Sequence, residues 1–256
     1  MNSETNNHDS DDTPIARASN DNSGQNHNHG SDDTNRSKVV DPHEFPSEQT
    51  AFFLSGPAGL LECMADVPEA DGAKPATVVI CHPHPQHGGT MRNKVVTITE
   101  RSLRESGLRT VRFNFRATGE SEGEFDDGSG ELEDLQAVIV WLQQTRPDDD
   151  LWLAGFSFGA WISLKAAQNV PVRMLNSIAP PVERYGFADL MPPACPWLVV
   201  QGDEDEVVSS DAVKAWVEQF DQGPELIVME GSGHFFHRRL MDLRGLLKNS
   251  VQKHLP

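Results

Sequence analysis

From residue 39 onwards, short runs of apolar residues alternate along the chain with longer segments whose apolar residues recur every three or four positions. A continuous apolar run is typical of a strand covered on both faces, and the three- or four-residue spacing is typical of an amphipathic helix. The pattern predicts strands at 51–54, 60–65, 76–81, 109–115, 151–156, 172–178, 197–201 and 225–230. It predicts helices at 93–104, 131–144, 159–168, 211–220 and 236–254.

The order of these elements indicates an α/β fold. The first two strands flank the turn SGPAG, so they predict an N-terminal antiparallel hairpin. The strands and helices that follow alternate, which predicts a mostly parallel central sheet with helices on both faces and right-handed crossovers. In such sheets the functional side chains gather at the carboxyl ends of the strands.

Composition separates the N-terminal segment from the rest of the chain. Residues 1–38 contain almost no apolar side chains and are rich in Asn, Asp, Ser and Gly, so we expect a disordered acidic and polar tail. Residues 39–256 are then expected to form a single domain with one sizeable core. The N-terminal segment lacks the apolar run of a secretory signal peptide.

The overall charge and the cysteines limit the partners of the protein. The formal net charge is −18, which argues against binding to nucleic acid or to an anionic membrane surface. No apolar run approaches the ~20 residues that span a bilayer, so membrane insertion is not expected. Cys63, Cys81 and Cys195 have no CxxC spacing, which is typical of reduced thiols in the cytoplasm. The residues give no sign of the oligomeric state.

The candidate nucleophile is Ser157 in the stretch GFSFGA (155–160), an instance of the pattern G-x-S-x-G. A predicted buried strand enters this stretch and a predicted helix leaves it. Ser157 is therefore expected at a sharp strand-to-helix bend with strained backbone angles, which lifts its hydroxyl above the sheet. The helix that starts at Phe158 directs its free N–H groups, that of Phe158 among them, at any oxyanion formed there.

A serine hydroxyl needs a base to take its proton, and the base needs a carboxylate to orient it. His234, in the loop after the last predicted strand, is the predicted base, with His237 as an alternative inside the following helix. The loop GDEDEVV offers four acids, of which Asp205 is the predicted partner and Asp203 the alternative. A chain in which the serine is idle would be a non-catalytic binding protein that kept the fold.

These motifs resemble those of the α/β-hydrolase superfamily, and the order of nucleophile, acid and base along the chain is the order of that fold. The resemblance is narrower to its small bacterial members without a lid, akin to the dienelactone-hydrolase-like and predicted-hydrolase groups. It extends from about Phe45 to the C-terminus and rests on CHPHPQHGGTMRNKVV, RFNFRATGESEGEFDDGSGE, GFSFGA, GDEDEVV and GHFFH. Dienelactone hydrolases use a cysteine nucleophile where this chain has Ser157. The resemblance therefore implies ester opening, but not the lactone substrate.

The stretch HPHPQH (82–87) has two interpretations. His82, His84 and His87 fit the spacing H-x-H-x-D-H of zinc hydrolases, but Gln86 stands where that motif has an aspartate. In the fold implied by the resemblance, the same loop supplies the second oxyanion donor from a backbone N–H. Proline has no N–H, so His84 is the candidate donor, and His87 is expected to line the pocket. The zinc hydrolase remains an alternative.

The sequence therefore predicts a serine hydrolase that cleaves carboxylic esters or related acyl bonds of small to medium substrates through an acyl-enzyme intermediate. The 18 residues from 179 to 196 include five prolines, which is too short and too stiff a segment for a lid domain. We expect an open cleft with apolar walls from Phe156, Phe158, Phe235 and Tyr185. No cofactor and no metal are predicted, and the partner is a small ester-type molecule.

Overall fold

The computed structural model describes residues 39–256, which contain eight β-strands and five α-helices. Residues 1–38 lie outside the described residues, so the disordered tail expected there stays a prediction. The strands are β1 (Thr50–Gly56), β2 (Gly59–Asp66), β3 (Ala76–Cys81), β4 (Arg109–Phe113), β5 (Asp150–Phe156), β6 (Met174–Ile178), β7 (Trp197–Gly202) and β8 (Glu225–Met229). The α-helices are α1 (Lys94–Arg104), α2 (Ser129–Thr145), α3 (Phe158–Ala167), α4 (Ser210–Val217) and α5 (Leu240–Val251).

The eight strands form one sheet in the order β1-β2-β4-β3-β5-β6-β7-β8. β1 pairs with β2, and β2 pairs with β4, in antiparallel orientation. The other neighbouring strands are parallel. The predicted hairpin and the mostly parallel sheet are therefore confirmed. The loops that follow β3, β5, β7 and β8 all leave from the same edge of the sheet, where the candidate residues lie.

Alternate residues of the central strand β3 pack into the cores on opposite faces of the sheet. Val79 and Cys81 belong to the core beside α2, α3 and α4, whereas Val78 and Ile80 belong to the core beside α1 and α5. None of these four side chains is more than 1 % exposed. Burial of a valine side chain contributes about 2 kcal/mol to folding. Strand β3 therefore holds the loop that follows it on a rigid support.

The last helix begins later than the sequence predicts. In place of a helix over 236–254, α5 starts at Leu240, because Phe236 and Arg238 have φ angles of +51° and +64°. A left-handed backbone cannot continue a right-handed α-helix. The ring of Phe236 is buried in the core beside α1 and α5, and this burial offsets the backbone strain. His237 consequently lies in a turn and not inside a helix.

The connection between β6 and β7 carries no lid. Residues 179–196 contain one 3₁₀ turn, Phe187–Asp189, and no α-helix. This confirms the lidless architecture that the short, proline-rich segment predicts. Within residues 39–256, no helix combines the length and the apolar character that crossing a bilayer requires.

Candidate active site

Ser157 lies at the bend between β5 and α3, with φ +54° and ψ −118°. Its backbone N–H donates to the carbonyl of Ile178 on the neighbouring strand at 2.8 Å. A Cβ atom on Gly155 would overlap the backbone of Gly159, and a Cβ atom on Gly159 would overlap the carbonyl of Cys81. Both glycines are therefore required by the close approach of backbone to backbone, as the sequence predicts.

His234 brings its imidazole to this serine from the turn after β8. Its Nε2 lies 3.1 Å from Oγ of Ser157. The imidazole packs against the rings of Phe156 and Phe235, at centroid distances of 5.0 and 5.1 Å. Its backbone N–H donates to the carboxylate of Glu206 at 3.1 Å. The imidazole is thus held by two aromatic rings and through its main chain, and His234 is only 3 % exposed.

Asp205 completes the hydrogen-bonded chain. Its Oδ2 lies 2.8 Å from Nδ1 of His234 and also accepts a hydrogen bond from the side-chain amide of Gln201 at 3.0 Å. Its Oδ1 accepts from the backbone N–H groups of Val207 and Val208 at 2.8 and 2.7 Å. Burial raises the pKa of this carboxyl, but these hydrogen bonds outweigh burial and leave its pKa below the ordinary value.

The ionised Asp205 determines the tautomer of the imidazole. A carboxylate only accepts hydrogen bonds, so Nδ1 of His234 carries the proton in this pair. Nε2 is then free of hydrogen and accepts the hydrogen bond from the hydroxyl of Ser157. This is the arrangement in which a histidine can remove the proton of a serine as the oxygen attacks.

The alternative residues lie elsewhere. Asp203 is exposed, and its carboxylate accepts a hydrogen bond from the backbone N–H of Ser232 at 3.3 Å. His237 is exposed and contacts the ring of Phe235 at a centroid distance of 5.8 Å. Of the two acids and two histidines weighed from the sequence, the structure brings Asp205 and His234 together with the serine.

The two residues whose N–H groups are the candidate oxyanion donors have neighbouring side chains. Phe158 is the first residue of α3, so its N–H belongs to the first turn, which has no acceptor within the helix. His84 follows β3 and begins the 3₁₀ turn Pro85–His87. The rings of His84 and Phe158 are 5.0 Å apart. Assignment of the two N–H groups as oxyanion donors stays a prediction.

A cavity of about 210 Å³ opens above the serine. It is lined by Pro83, His84, His87, Gly88, Gly89, Asn93, Ser157, Pro181, Arg184, Tyr185, Val207, His234 and Phe235. Three of the five residues expected at the pocket, His87, Tyr185 and Phe235, are therefore in its lining, together with the candidate oxyanion donor His84. Phe156 and Phe158 are not in the lining, because both rings are buried; the ring of Phe156 lies against the imidazole and supports it from the core. A larger cavity of about 570 Å³ elsewhere has no serine or histidine in its lining.

His82 has a structural position that the sequence did not indicate. It is fully buried, and its Nδ1 lies 2.6 Å from the carbonyl of Pro83. Its Nε2 accepts a hydrogen bond from the backbone N–H of Phe115 at 3.0 Å. Burial lowers the pKa of this imidazole to about 4. The neutral ring therefore ties the loop after β3 to the end of β4.

This geometry does not favour the zinc alternative. Both ring nitrogens of His82 are engaged with backbone groups, and Nδ1 of His84 accepts from the N–H of Gln86 at 3.2 Å. Among the residues that the structure describes, no three His, Cys, Asp or Glu side chains converge as metal ligands. His84 and His87 instead stack on each other, with ring centroids 4.4 Å apart.

The buried His82 predicts a pH-dependent stability. The imidazole binds a proton near its ordinary pKa of 6.5 in the unfolded chain, but only near 4 in the folded protein. The contribution of the neutral His82 imidazole to the stability of the fold is therefore complete above pH 6.5, and it is lost as the pH falls towards 4. We expect this loss to lower the free energy of unfolding by about 2 kcal/mol between about pH 7 and pH 5.

Urea unfolding, followed by tryptophan fluorescence, measures this dependence. His82→Gln retains one donor and one acceptor but does not titrate in this range, so the other ionisable groups are common to both proteins. The decline in unfolding free energy between the two pH values should be smaller in the variant by the same amount. An equally steep decline in both proteins would contradict the assignment to His82.

The loop after β4 is anchored by two polar clusters. The side chain of Asn114 donates to the carboxylate of Glu62 at 2.7 Å and accepts from the backbone N–H of Met91 at 2.8 Å. Arg116 forms three side-chain hydrogen bonds of 2.8 to 3.1 Å with the buried carboxylate of Asp134. These contacts fix the chain that carries Phe125, whose ring contacts His84.

The chain is similar to proteins that are described as peptidases and serine hydrolases. Residues 60–189 match the family described as X-Pro dipeptidyl-peptidase (S15 family). The crystal structure of XC6422 from Xanthomonas campestris, described as an α/β serine hydrolase without lid, is 51 % identical. The match covers 83 % of this chain and 98 % of XC6422, with a TM-score of 0.81.

Two further relatives are similar over most of the chain. An α/β serine hydrolase homologue from Coxiella burnetii is 51 % identical and has a TM-score of 0.79, with 81 % of this chain and 100 % of the other covered. The uncharacterised protein RP471 of Rickettsia prowazekii is 36 % identical over 195 residues, which cover 72 % of this chain and 81 % of the relative.

Proposed function

Because this chain belongs to the S15 family of α/β hydrolases and is a hydrolase with a lidless fold, we propose that it is a serine hydrolase of carboxylic esters. Ser157 is the proposed nucleophile, His234 the general base and Asp205 the residue that orients it. The observation that carries this proposal is the continuous chain of hydrogen bonds from the serine hydroxyl through both ring nitrogens to a buried carboxylate. The substrates are small to medium esters, in keeping with a cavity of about 210 Å³.

The proposed reaction has two halves. Oγ of Ser157 attacks the ester carbonyl while Nε2 of His234 takes its proton, and the negative carbonyl oxygen is bound by the N–H groups of His84 and Phe158. The tetrahedral intermediate then expels the alcohol, which receives the proton from the imidazolium. Water attacks the acyl-serine by the same route and releases the acid. Asp205 stabilises the imidazolium in both halves without taking its proton.

A peptidase is the second candidate, because the matching family is described by a dipeptidyl-peptidase activity. An enzyme that releases an X-Pro dipeptide must hold the N-terminal ammonium of its substrate, and a carboxylate is the usual partner of an ammonium. Among the described residues that line the cavity, none is Asp or Glu. The lining therefore supports ester substrates over peptides with a free N-terminus.

A panel of chromogenic substrates tests the proposal. We expect p-nitrophenyl acetate and butyrate to be hydrolysed with a kcat/KM at least about 100-fold above that for Ala-Pro-p-nitroanilide, about 3 kcal/mol in transition-state stabilisation. A preference for the anilide would contradict the ester proposal and support the peptidase. Absence of turnover, together with absence of labelling by a fluorophosphonate, would instead support a binding protein that kept the fold.

The state of the cysteines supports a serine as the nucleophile and the cytoplasm as the location. Cys63 and Cys81 are buried and Cys195 is half-buried, and all three thiols are free. Burial raises the pKa of Cys81 to about 12, so this thiol is not a nucleophile at neutral pH. Free thiols suit a reducing compartment, and we therefore assign the activity to the cytoplasm.

A further inference from the structure

The cavity above Ser157 has an uneven distribution of charge. Arg184 is the only Arg or Lys in its lining, and among the described residues that line it there is no Asp or Glu. This is unusual in a chain with 39 acidic and 21 basic residues. No carboxylate of residues 39–256 lies within ion-pair distance of the Arg184 guanidinium. An anion that entered the cavity would therefore meet a cation without an acidic partner.

The loop that carries Arg184 is held in one conformation. The backbone N–H of Arg184 donates to the carbonyl of Pro181 at 2.9 Å. The next residues, Tyr185 and Gly186, have φ angles of +59° and +69°. A left-handed backbone is strained for tyrosine, and such strain persists only where the surroundings impose it, often at functional sites.

Aromatic packing imposes this conformation. The ring of Tyr185 stacks on Trp161 at a centroid distance of 4.8 Å and meets the edge of Phe158 at 5.6 Å. Both partners belong to α3, the helix that begins beside the nucleophile. The backbone at Arg184 is consequently placed relative to Ser157 by the helix that begins beside the serine, while the Arg184 side chain is exposed at the mouth of the cavity.

The charge of Arg184 acts on His84, which lines the same cavity. Burial lowers the pKa of His84, and His87 and Arg184 lower it further, whereas Asp127 acts in the opposite direction. Asp127 is not in the cavity lining. A neutral His84 leaves Arg184 as the permanent charge that a bound substrate meets.

The rest of the cavity has an apolar side. Val207 and Phe235, which follow Asp205 and His234 in the chain, line the cavity and remain 40 % and 38 % exposed. A substrate that satisfies both sides has a short apolar part and an anionic group. A carboxylate is a small anionic group that a planar guanidinium binds in two parallel hydrogen bonds.

We propose that the substrates are small esters that carry a free carboxylate, on either the acyl or the alcohol side, and that this carboxylate pairs with Arg184. The inference rests on the ester hydrolysis proposed above and adds the class of ester. The two positions of the carboxylate share one chemistry, and the experiment distinguishes them.

Two pairs of esters of equal size test this inference in a pH-stat assay. On the acyl side, monomethyl glutarate is compared with methyl 5-methylhexanoate, in which an isopropyl group replaces the carboxylate. On the alcohol side, 3-acetoxypropanoate is compared with isopentyl acetate. We expect the wild-type kcat/KM to favour the carboxylate in at least one pair by about 10-fold, and Arg184→Gln to lower that ratio by about 10-fold.

Two further variants separate the charge of Arg184 from other effects. Arg184→Lys keeps the charge but loses the planar fork of donors, so it should retain a part of the preference that Arg184→Gln loses. Arg173→Gln removes one positive charge from an exposed arginine that pairs with Asp150 at 3.7 Å, outside this cavity. It controls for the change in net charge and should leave the ratio unaltered.

The outcomes that overturn the inference are distinct from those that overturn the ester hydrolysis. Equal turnover of both members of each pair, or an equal effect of Arg184→Gln on all four esters, would remove the carboxylate preference and leave ester hydrolysis standing. Failure to hydrolyse these four esters and the p-nitrophenyl esters would overturn both proposals together.

Discussion

Replacement of Ser157 by alanine is expected to lower kcat/KM for p-nitrophenyl butyrate by roughly 10⁴- to 10⁶-fold. The variant lacks the oxygen that forms the acyl-enzyme, while the cavity, the imidazole and the backbone donors stay in place. Any remaining rate would come from water activated by His234 and from binding alone. Initial rates at several enzyme concentrations, with the enzyme freshly purified, measure the effect above the spontaneous hydrolysis of the ester.

Ser55→Ala is the matched control for this experiment. Ser55 lies in β1 and its hydroxyl donates to Asp41, far along the sheet from the carboxyl ends of β5 and β8. A fluorophosphonate should label the wild type and the control to the same extent, with one modified residue, and should fail to label Ser157→Ala. Retention of more than a tenth of the activity by Ser157→Ala would exclude this serine as the nucleophile.

Replacement of Asp205 by asparagine is expected to lower kcat by about 10⁴-fold. The carboxylate accepts hydrogen bonds from four groups, the imidazole of His234, the amide of Gln201 and the N–H groups of Val207 and Val208. An asparagine has one acceptor oxygen and would direct its NH₂ group at the imidazole. The ring would then carry its proton on Nε2, where it cannot take the proton of the serine.

Asp203→Asn separates this effect from a loss of acidic charge in the same loop. The Asp203 carboxylate is exposed and bonds to the N–H of Ser232, so its replacement should change kcat by less than about threefold. Far-ultraviolet circular dichroism and urea unfolding show whether both variants are folded. A larger effect of Asp203→Asn than of Asp205→Asn would reverse the assignment of the acid.

The strands and the bend at the nucleophile could be predicted because short sequence patterns indicate them. A run such as ATVVIC has no polar side to expose, so it becomes a strand covered on both faces, and β3 has the predicted bounds. The glycines around Ser157 are required by contacts with residues that are close in the fold, and the pattern G-x-S-x-G records this requirement.

The start of the last helix could not be predicted because tertiary packing decides it. The segment FFHRRL contains no Gly or Pro and has residues that are compatible with a helix. Burial of the Phe236 ring stabilises a left-handed backbone at that position, and no local pattern reports this burial. The same turn places the imidazole of His234 at the serine, so the deviation from the helical pattern lies at the site itself.

Residue type alone also could not distinguish the histidines of HPHPQH or the phenylalanines around the serine. His82 is buried against backbone groups, whereas His84 and His87 line the cavity. Phe156 supports the imidazole from the core, whereas Phe235 reaches the cavity. In each case the residue types of the site could be read from the sequence. Whether a given ring is buried or reaches the cavity depends on the tertiary contacts around it.

The contact of Gly159 with the carbonyl of Cys81 has a consequence for redesign. The first turn of α3 and the end of β3 touch through main-chain atoms, so no choice of side chain can adjust the spacing between them without altering the fold. In the connection 179–196, a Cβ atom on Gly186 would meet no backbone, and this segment contributes Pro181, Arg184 and Tyr185 to the cavity. An engineer who wishes this scaffold to accept a different ester should therefore exchange that connection and leave the reaction centre untouched.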